Sequence, residues 1–355
     1  MRIGIPREIK PVEGRVALTP QACRELSNAG HKVFVEHNAG ALSGYPDDQY
    51  IAAGASIGAD AAATYGEDGL IVKVKEPVAG DLQHLRSNHL LFCYLHLAPN
   101  PKLILALQKI GLTAVAFETV ETETGELPLL APMSDIAGRL AVQVSTFLLH
   151  QPQGGKGLLL GGITGAEPGR VVIIGAGNAG SHAAMLAAAC GAEVVVFDVR
   201  TERLSAMRSL GDNVTALIPD PGNLAREVAA ADVLIGAALK TGGKSPHIVS
   251  REMIRQMMAG SVVVDISVDQ GGCIETTRPT TYENPTYIDE GVLHFCVTNM
   301  PGAVPRTATQ VLSTTLLPYV RAICEADWKS IPELQKGINI EAGAIIHPAL
   351  IESPA

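Results

Sequence analysis

Several classes of protein are excluded by what this 355-residue sequence lacks. No run of roughly 18 apolar residues occurs, so the sequence predicts no transmembrane helix. The N-terminus, MRIGIPREIK, has charges where a signal peptide needs a continuous apolar core, and we therefore expect a cytoplasmic protein without a membrane partner. The net charge is −9 and basic residues form no cluster, which argues against nucleic acid as a partner.

The cysteines and histidines lack the spacings of a metal site. The six cysteines contain no C-x-x-C pair, and no two of the ten histidines stand three or four residues apart. We therefore predict no metal centre built on these residues, and we interpret the cysteines as reduced core side chains. Magnesium and calcium stay open, because those ions take oxygen ligands.

Short apolar, β-branched segments alternate with helical patterns along the whole chain, which is typical of parallel α/β proteins. The predicted strands form two series, at 2–5, 32–36, 70–74, 90–95 and 113–117, and at 170–175, 192–198, 213–218, 231–237 and 261–266. Two such series predict an α/β fold of two doubly wound domains with a cleft between them.

Two predicted helices would carry the chain between these domains. Residues 134–150 have apolar side chains at helical spacing, and 307–326 form a similar stretch in which Pro318 should cause a kink. The first domain is then predicted to contain residues 1–133 and 307–355, and the second residues 134–306.

The segment RVVIIGAGNAG predicts a dinucleotide site in the second domain. Gly175, Gly177 and Gly180 form G-x-G-x-x-G between a strand and an Ala-rich helix, and Asp198 ends the next strand, close to the expected distance of about 20 residues. This combination indicates a Rossmann-like domain that binds pyrophosphate at the helix N-terminus. Asp198 favours NAD over NADP, although Arg200 lies where an arginine can accept a 2′-phosphate.

Candidates for the chemistry lie mainly in the first domain. Lys73 and Lys75 share one face of a predicted strand, and at least one should lie at its end, because an unpaired ammonium is costly inside a sheet. Arg15 could clamp a carboxylate or form a surface ion pair. His96, which ends LLFCYLH, could be a core histidine or an acid/base group. Asp269 could be a turn residue or a ligand group beyond a strand end.

The whole set of motifs resembles the alanine dehydrogenase family and its transhydrogenase relatives. The resemblance runs through MRIGIPREIKPVEGRVALTP, LIVKVKEP, YLHLAPN, LAPMSDIAGRLAVQ, VVIIGAGNAG, VVVDISVDQGG and VTNMPGAVPRTAT, in order, from residue 1 to about 340. It implies NAD-dependent, reversible oxidative deamination of L-alanine to pyruvate and ammonium in a homo-oligomer, typically a hexamer.

The resemblance also implies a role for individual residues. His96 would be the acid/base group, and Asp269 would orient it and the hydrolytic water. The substrate would be held by Arg15 and Lys75. Residues expected to contact the cofactor or line its nicotinamide end are Ser134, Asp198, Arg203, Asn299 and Met300, of which Arg203 replaces a more usual lysine.

Two other functions compete with this interpretation. The first is the NAD(H)-binding subunit of a proton-translocating transhydrogenase, which has no amino-acid chemistry of its own. The second is a non-catalytic NAD-sensing module, for which His96 would be dispensable. Glycine, glyoxylate or serine could also react, because a pocket for a methyl group discriminates by only about 1–3 kcal/mol.

Overall fold

A computed structural model of the chain describes residues 1–238 and 247–351. The chain divides into two compact units: unit 1 contains Met1–Met133 and Gly302–Ala355, and unit 2 contains Ser134–Pro301. The predicted second domain includes residues 239–246 and the predicted first domain includes 352–355; both segments lie outside the described residues. No helix of the described ranges is long and apolar enough to cross a membrane.

The regular elements are short and alternate along the chain. The strands are β1 (Arg2–Ile5), β2 (Lys32–Glu36), β3 (Ser56–Gly58), β4 (Gly69–Val72), β5 (His89–Cys93), β6 (Thr113–Ala116), β7 (Arg170–Ile174), β8 (Glu193–Phe197), β9 (Val214–Leu217), β10 (Val233–Gly236), β11 (Val262–Asp265), β12 (Thr286–Asp289), β13 (Val292–Phe295), β14 (Ile338–Glu341) and β15 (Ala344–Ile345). The helices are α1 (Pro20–Asn28), α2 (Asp47–Ala52), α3 (Ala61–Tyr65), α4 (Ala79–Leu82), α5 (Pro101–Ile110), α6 (Ala131–Leu148), α7 (Asn178–Ala189), α8 (Thr201–Arg208), α9 (Pro221–Ala230), α10 (Arg251–Arg255), α11 (Pro305–Ile323), α12 (Pro332–Gly337) and α13 (Pro348–Ile351).

Unit 1 contains a sheet with the strand order β15-β14-β6-β5-β4-β1-β2-β3. Its six strands from β6 to β3 are mutually parallel, whereas β14 runs antiparallel to β6 and β15 antiparallel to β14. The six parallel strands follow the 3-2-1-4-5-6 order of doubly wound folds. The order therefore reverses between β1 and β4, which is where such folds bind ligands.

Unit 2 repeats this arrangement. Its sheet has the order β12-β13-β11-β10-β7-β8-β9, in which only β12 is antiparallel to its neighbour. Counted from β7, the parallel strands again follow the order 3-2-1-4-5-6, with the reversal between β7 and β10. The fold is thus α/β with two doubly wound domains, as the sequence predicted.

The two long helices lie close to their predicted positions. Helix α6 begins at Ala131 in unit 1 and continues into unit 2, and α11 lies entirely in unit 1. Pro318 stands inside α11 without ending it. The short helix α1 begins with Thr19, whose hydroxyl accepts a hydrogen bond from the Ala22 N–H, followed by Pro20 at the first helical position.

Each unit has its own apolar core, built from strand residues and the helices that cover them. In unit 1 the core surrounds Ile71, Leu91 and Ala114 on three neighbouring strands. In unit 2 it surrounds Val172, Leu234 and Val263. These buried, continuous runs are typical of parallel strands that are covered on both faces.

Candidate active site

The chemistry-bearing residues of unit 1 lie where its strand order reverses. Arg15 follows β1, Lys75 follows β4 and His96 follows β5. Because β1, β4 and β5 are parallel neighbours, their carboxyl ends meet at one edge of the sheet. The fold therefore brings the carboxylate clamp, the lysine and the histidine of the sequence prediction to the same edge.

Arg15 is buried and paired with a carboxylate. Its Nε donates to Glu13 Oε1 at 2.7 Å and its Nη2 to Glu13 Oε2 at 2.5 Å, and only 2% of the residue is exposed. Burial alone would lower the pKa of Arg15, but the Glu13 carboxylate outweighs burial and raises it. The prediction of a surface ion pair is wrong for Arg15: the pair is internal, and it fixes the guanidinium plane.

Arg15 also contacts the start of α6, because its Nη1 lies 3.3 Å from the Met133 sulfur. Both residues are buried, with 6% of Met133 and 2% of Arg15 exposed.

Lys73 and Lys75 have different surroundings, and neither lies within the strand. The sequence placed Lys73 inside it, but β4 ends at Val72. The Lys73 N–H still donates to the Phe92 oxygen of β5 at 3.1 Å, whereas the Val74 N–H donates to Glu8 Oε1 at 2.7 Å. Lys73 is buried, with its Nζ 3.1 Å from Asp81 Oδ1 and 3.4 Å from Glu8 Oε2. Burial would lower the pKa of Lys73, but these two carboxylates raise it.

Lys75 has no carboxylate within ion-pair distance among the described residues. Burial and the nearby Arg15 guanidinium both lower the pKa of Lys75. A cation with a lowered pKa gains from binding an anion, because the anion restores the favourable charge environment. Lys75, and not Lys73, is thus the lysine suited to hold a substrate oxygen.

His96 follows β5 in a strained backbone conformation. Its φ is 45°, in the left-handed region, which costs a non-glycine residue roughly 1–3 kcal/mol. Its ring stacks on the Tyr94 ring, with centroids 6.0 Å apart and planes at 16°. Neither ring nitrogen has a hydrogen-bond partner in the described part of the chain. The imidazole is therefore oriented by its stacking on Tyr94 and by the backbone conformation of His96, and both ring nitrogens are available to bind a ligand.

The glycine motif of unit 2 forms the turn between β7 and α7. Gly175 has a φ of 101°, and a Cβ on Gly180 would lie 1.8 Å from the Gly175 oxygen, so both positions require glycine. A Cβ on Gly177 would meet nothing nearer than 3.6 Å, at an arginine Nη1. The first turn of α7 has no side-chain cap, which leaves its N–H groups to an anion such as a pyrophosphate.

Asp198 lies at the end of β8, where the sequence predicted it. Its Oδ2 accepts a hydrogen bond from the Ala176 N–H at 2.7 Å and its Oδ1 one from the Arg200 N–H at 2.9 Å. Arg203 lies 3.5 Å away and balances its charge. Asp198 thus ties the glycine turn to the neighbouring strand, in addition to presenting its carboxylate beside the turn.

The remaining predicted site residues all belong to unit 2, at or after strand ends or at the start of the unit. Asp269 lies exposed in a 3-10 turn after β11. Asp265 fixes the loop that carries it, because Oδ1 accepts from the Ser267 N–H at 2.9 Å and Oδ2 from the Cys273 N–H at 3.1 Å. Asn299 and Met300 follow β13, and Ser134 is the first residue of unit 2.

Sequence reasoning missed the carboxylates that hold this site together, namely Glu8, Glu13, Glu118 and Asp81. A signal for two of them was present. Glu8 and Glu118 follow predicted strands within a few residues, the same position that drew attention to Asp269. Among the described residues, no group of three or more His, Cys, Asp or Glu side chains is arranged to hold a metal ion.

The fold and the glycine turn define a two-domain α/β protein with a dinucleotide site, and comparisons with known proteins give its family. The models for the alanine dehydrogenase/PNT N-terminal and C-terminal domains match residues 4–137 and 141–348. The chain belongs to the alanine dehydrogenase/PNT family, and it is an oxidoreductase.

Curated relatives match over the full length. An alanine dehydrogenase of Methanococcus maripaludis is 44% identical, with 99% of this chain and 96% of the relative covered. One of Geobacillus stearothermophilus is also 44% identical, with 99% and 95% covered.

Solved structures of the same family also match this chain over nearly its whole length. An L-alanine dehydrogenase structure has a TM-score of 0.96 and 46% identity, and the match covers 99% of each chain. A transhydrogenase from Sinorhizobium meliloti is more distant, with a TM-score of 0.84 and 27% identity over 98% of this chain and 100% of that one.

Proposed function

We propose that this enzyme catalyses the reversible, NAD-dependent oxidative deamination of L-alanine to pyruvate and ammonium. The observation that carries the proposal is the meeting of Arg15, Lys75 and His96 at one sheet edge in unit 1. An anion clamp, a second cation and a titratable group are what an α-amino acid needs for this reaction. The full-length similarity to proteins named alanine dehydrogenase supports the same choice.

The cofactor fits the glycine turn of unit 2. Open space beside Gly177 and the uncapped first turn of α7 suit a pyrophosphate, and Asp198 suits ribose hydroxyls better than a 2′-phosphate. When bound, NAD supplies the acceptor for the hydride that leaves the alanine Cα. Residues of unit 2 that we propose to contact it are Ser134, Gly175, Gly177, Gly180, Asp198, Arg203 and Met300.

The residues of unit 1 bind and polarise the substrate. Arg15 would hold the carboxylate, with its plane fixed by Glu13. Lys75 would hold the oxygen that forms on Cα, and its positive charge would stabilise the negative charge that develops there. Asn299, in unit 2, is proposed as a further substrate contact.

The histidine moves protons in the hydrolytic half of the reaction. The α-ammonium group first releases one proton to solvent, and loss of hydride from the Cα of the neutral amine then leaves an iminium. Water adds to the iminium carbon while His96 takes the water proton. That proton passes to the nitrogen of the resulting carbinolamine, ammonia leaves with the C–N electron pair, and the proton of the carbinolamine hydroxyl passes to the ammonia, which gives pyruvate and ammonium. Asp269 is proposed to orient the histidine and the water. The net balance is L-alanine, NAD⁺ and water to pyruvate, ammonium, NADH and one proton.

We further propose that the enzyme works in the cytoplasm, and that it forms the homo-hexamer that the resemblance of its sequence implies. Its mass in solution, measured by light scattering after gel filtration, tests the hexamer. A transhydrogenase subunit is the second candidate, and the lower identity to that class argues against it.

The activity is tested by following the absorbance of reduced nicotinamide in both directions. One assay contains NAD and L-alanine, and the other contains NADH, pyruvate and ammonium; both are run with the wild type and His96→Ala, with NADP and NADPH in parallel. We expect turnover in both directions that is lost in the variant and weak with the phosphorylated cofactors. A folded, NAD-binding wild type without turnover would exclude the proposed reaction.

A further inference from the structure

Lys75 and His96 each follow a strand of unit 1, and in each case a carboxylate that follows a flanking strand accepts hydrogen bonds from the backbone N–H groups of that residue and the one before it. In the sheet, β4 and β5 lie between β1 and β6. Glu8 follows β1, and its Oε1 accepts from the N–H groups of Val74 at 2.7 Å and Lys75 at 3.4 Å. Glu118 follows β6, and its Oε1 accepts from the N–H groups of Leu95 at 3.0 Å and His96 at 2.6 Å.

This arrangement depends on a turn in the backbone. In an extended strand successive N–H groups point to opposite sides, so one acceptor cannot receive both. At Leu95 and His96 both N–H groups converge on the Glu118 carboxylate, which also receives the Leu95 N–H at Oε2, 3.2 Å away. The left-handed φ of His96, 45°, accompanies this turn. Convergent N–H groups of this kind form a concave anion site, here filled by a side chain of the same unit.

Glu118 and Glu8 differ in the other groups that their carboxylates contact. Glu8 also neutralises the buried Lys73. Glu118 has no ion-pair partner within the described ranges, and all of its side-chain hydrogen bonds go to the backbone of Leu95 and His96. A charged acceptor on two amides holds them more firmly than a neutral one.

We propose that Glu118 is the positioning residue for His96: its carboxylate holds the left-handed turn and so directs the imidazole toward the substrate. The inference rests on the proposed function, in which His96 moves the protons. Stacking on Tyr94 limits the tilt of the imidazole ring, and the hydrogen bond from the His96 N–H to Glu118 fixes the position of the backbone from which the side chain extends. The two constraints act on different parts of the residue, so loss of one displaces the ring without unfolding the sheet.

The test compares Glu118→Gln and Glu118→Ala with the wild type. The glutamine variant keeps an oxygen acceptor without its charge, and we expect its kcat to fall about tenfold. The alanine variant removes the acceptor, and we expect kcat to fall about 100-fold, the effect of displacing a reacting group by about 1 Å. The KM for L-alanine and the Kd for NADH, measured by fluorescence, should both stay within about twofold of wild type.

The matched control is Glu121→Gln, which changes a glutamate three residues further on that pairs with the exposed Lys336. Its kcat should equal that of the wild type. A merely structural role for Glu118 would raise KM together with a loss of melting temperature, because Arg15 and Lys75 belong to the same unit.

The outcomes separate this inference from the proposed function. Glu118 variants that keep the wild-type kcat, or in which kcat falls and KM rises by the same factor, overturn the positioning role. The proposed turnover of alanine by the wild type is not affected by either result. A wild type that does not turn over alanine overturns the proposed function and, with it, the role of His96 on which the inference depends.

Discussion

Glu13 and Arg15 form a buried bidentate ion pair although only one residue separates them in the sequence. The backbone N–H of Arg15 also donates to Glu13 Oε1, at 3.1 Å, so the loop closes on itself around the pair. The guanidinium is thereby held in one plane before any substrate arrives. Preorganisation of this kind reduces the entropy that binding must otherwise overcome.

Replacing Glu13 should therefore weaken substrate binding more than it slows chemistry. We expect Glu13→Gln to raise the KM for L-alanine and for pyruvate about tenfold, because one charge-assisted hydrogen bond is lost. Steady-state kinetics in both directions measure this, with the exposed Glu123→Gln as control. An unchanged KM with a lowered kcat would contradict the role given to the pair.

The glycines of the cofactor turn should separate into two classes on substitution. At Gly180 a Cβ would lie 1.8 Å from the Gly175 oxygen, so Gly180→Ala should destabilise unit 2 by about 3 kcal/mol. At Gly177 the space is open, so Gly177→Ala should keep the wild-type melting temperature and lose affinity for NADH, because its methyl occupies space proposed for the pyrophosphate. Thermal melts with and without NADH distinguish these results; equal stability losses in both variants would contradict the distinction.

Asp198 should control the choice between the two nicotinamide cofactors. Removing its charge removes repulsion of a 2′-phosphate and one strong acceptor for ribose hydroxyls. We expect Asp198→Asn to raise the Kd for NADH about tenfold and to lower the Kd for NADPH. Fluorescence titration with each cofactor measures both constants. Asp212→Asn, which changes an aspartate further along the unit, is the control; a variant with unchanged preference would exclude Asp198 from the adenosine site.

A buried histidine in unit 2 should make stability fall in acid. His294 is fully buried, its Nδ1 lies 2.9 Å from the Val292 oxygen, and burial lowers its pKa. The unfolded chain then binds a proton more readily than the folded one, so this stability is fully present above the unfolded pKa of about 6.5 and is lost as pH falls below it. The loss should approach about 1.4 kcal/mol per pH unit for this group.

The measurement is urea unfolding of wild type and His294→Gln at several values of pH below neutrality. The variant should be less stable near neutrality, because it loses the packed ring that stacks on Tyr287, and should show a weaker dependence on pH. Parallel pH curves for the two proteins would show that other groups cause the acid loss.

Much of the fold could be predicted because its signals are local. The strands β1 and β2 begin and end as predicted, and β7 and β8 differ from the prediction only at their ends. The prediction missed β3, β12, β13, β14 and β15. Most of these strands lie at a sheet edge or pair with an antiparallel neighbour. Their sequences are short and mixed, and they become strands only through hydrogen bonds to that neighbour.

The sequence by itself determined the alternation of strands and helices, the glycine turn and the placing of Arg15, Lys75 and His96 after strands, because each depends on residues that are close along the chain. The tertiary structure decided which strands lie side by side, and so that these three residues share one edge. It also decided which carboxylates hold them, since the amide of His96 meets Glu118 and that of Lys75 meets Glu8 only after distant strands have paired. Hydrogen bonds between residues far apart in sequence form only when the sheet brings their strand ends together, and no local pattern records that pairing.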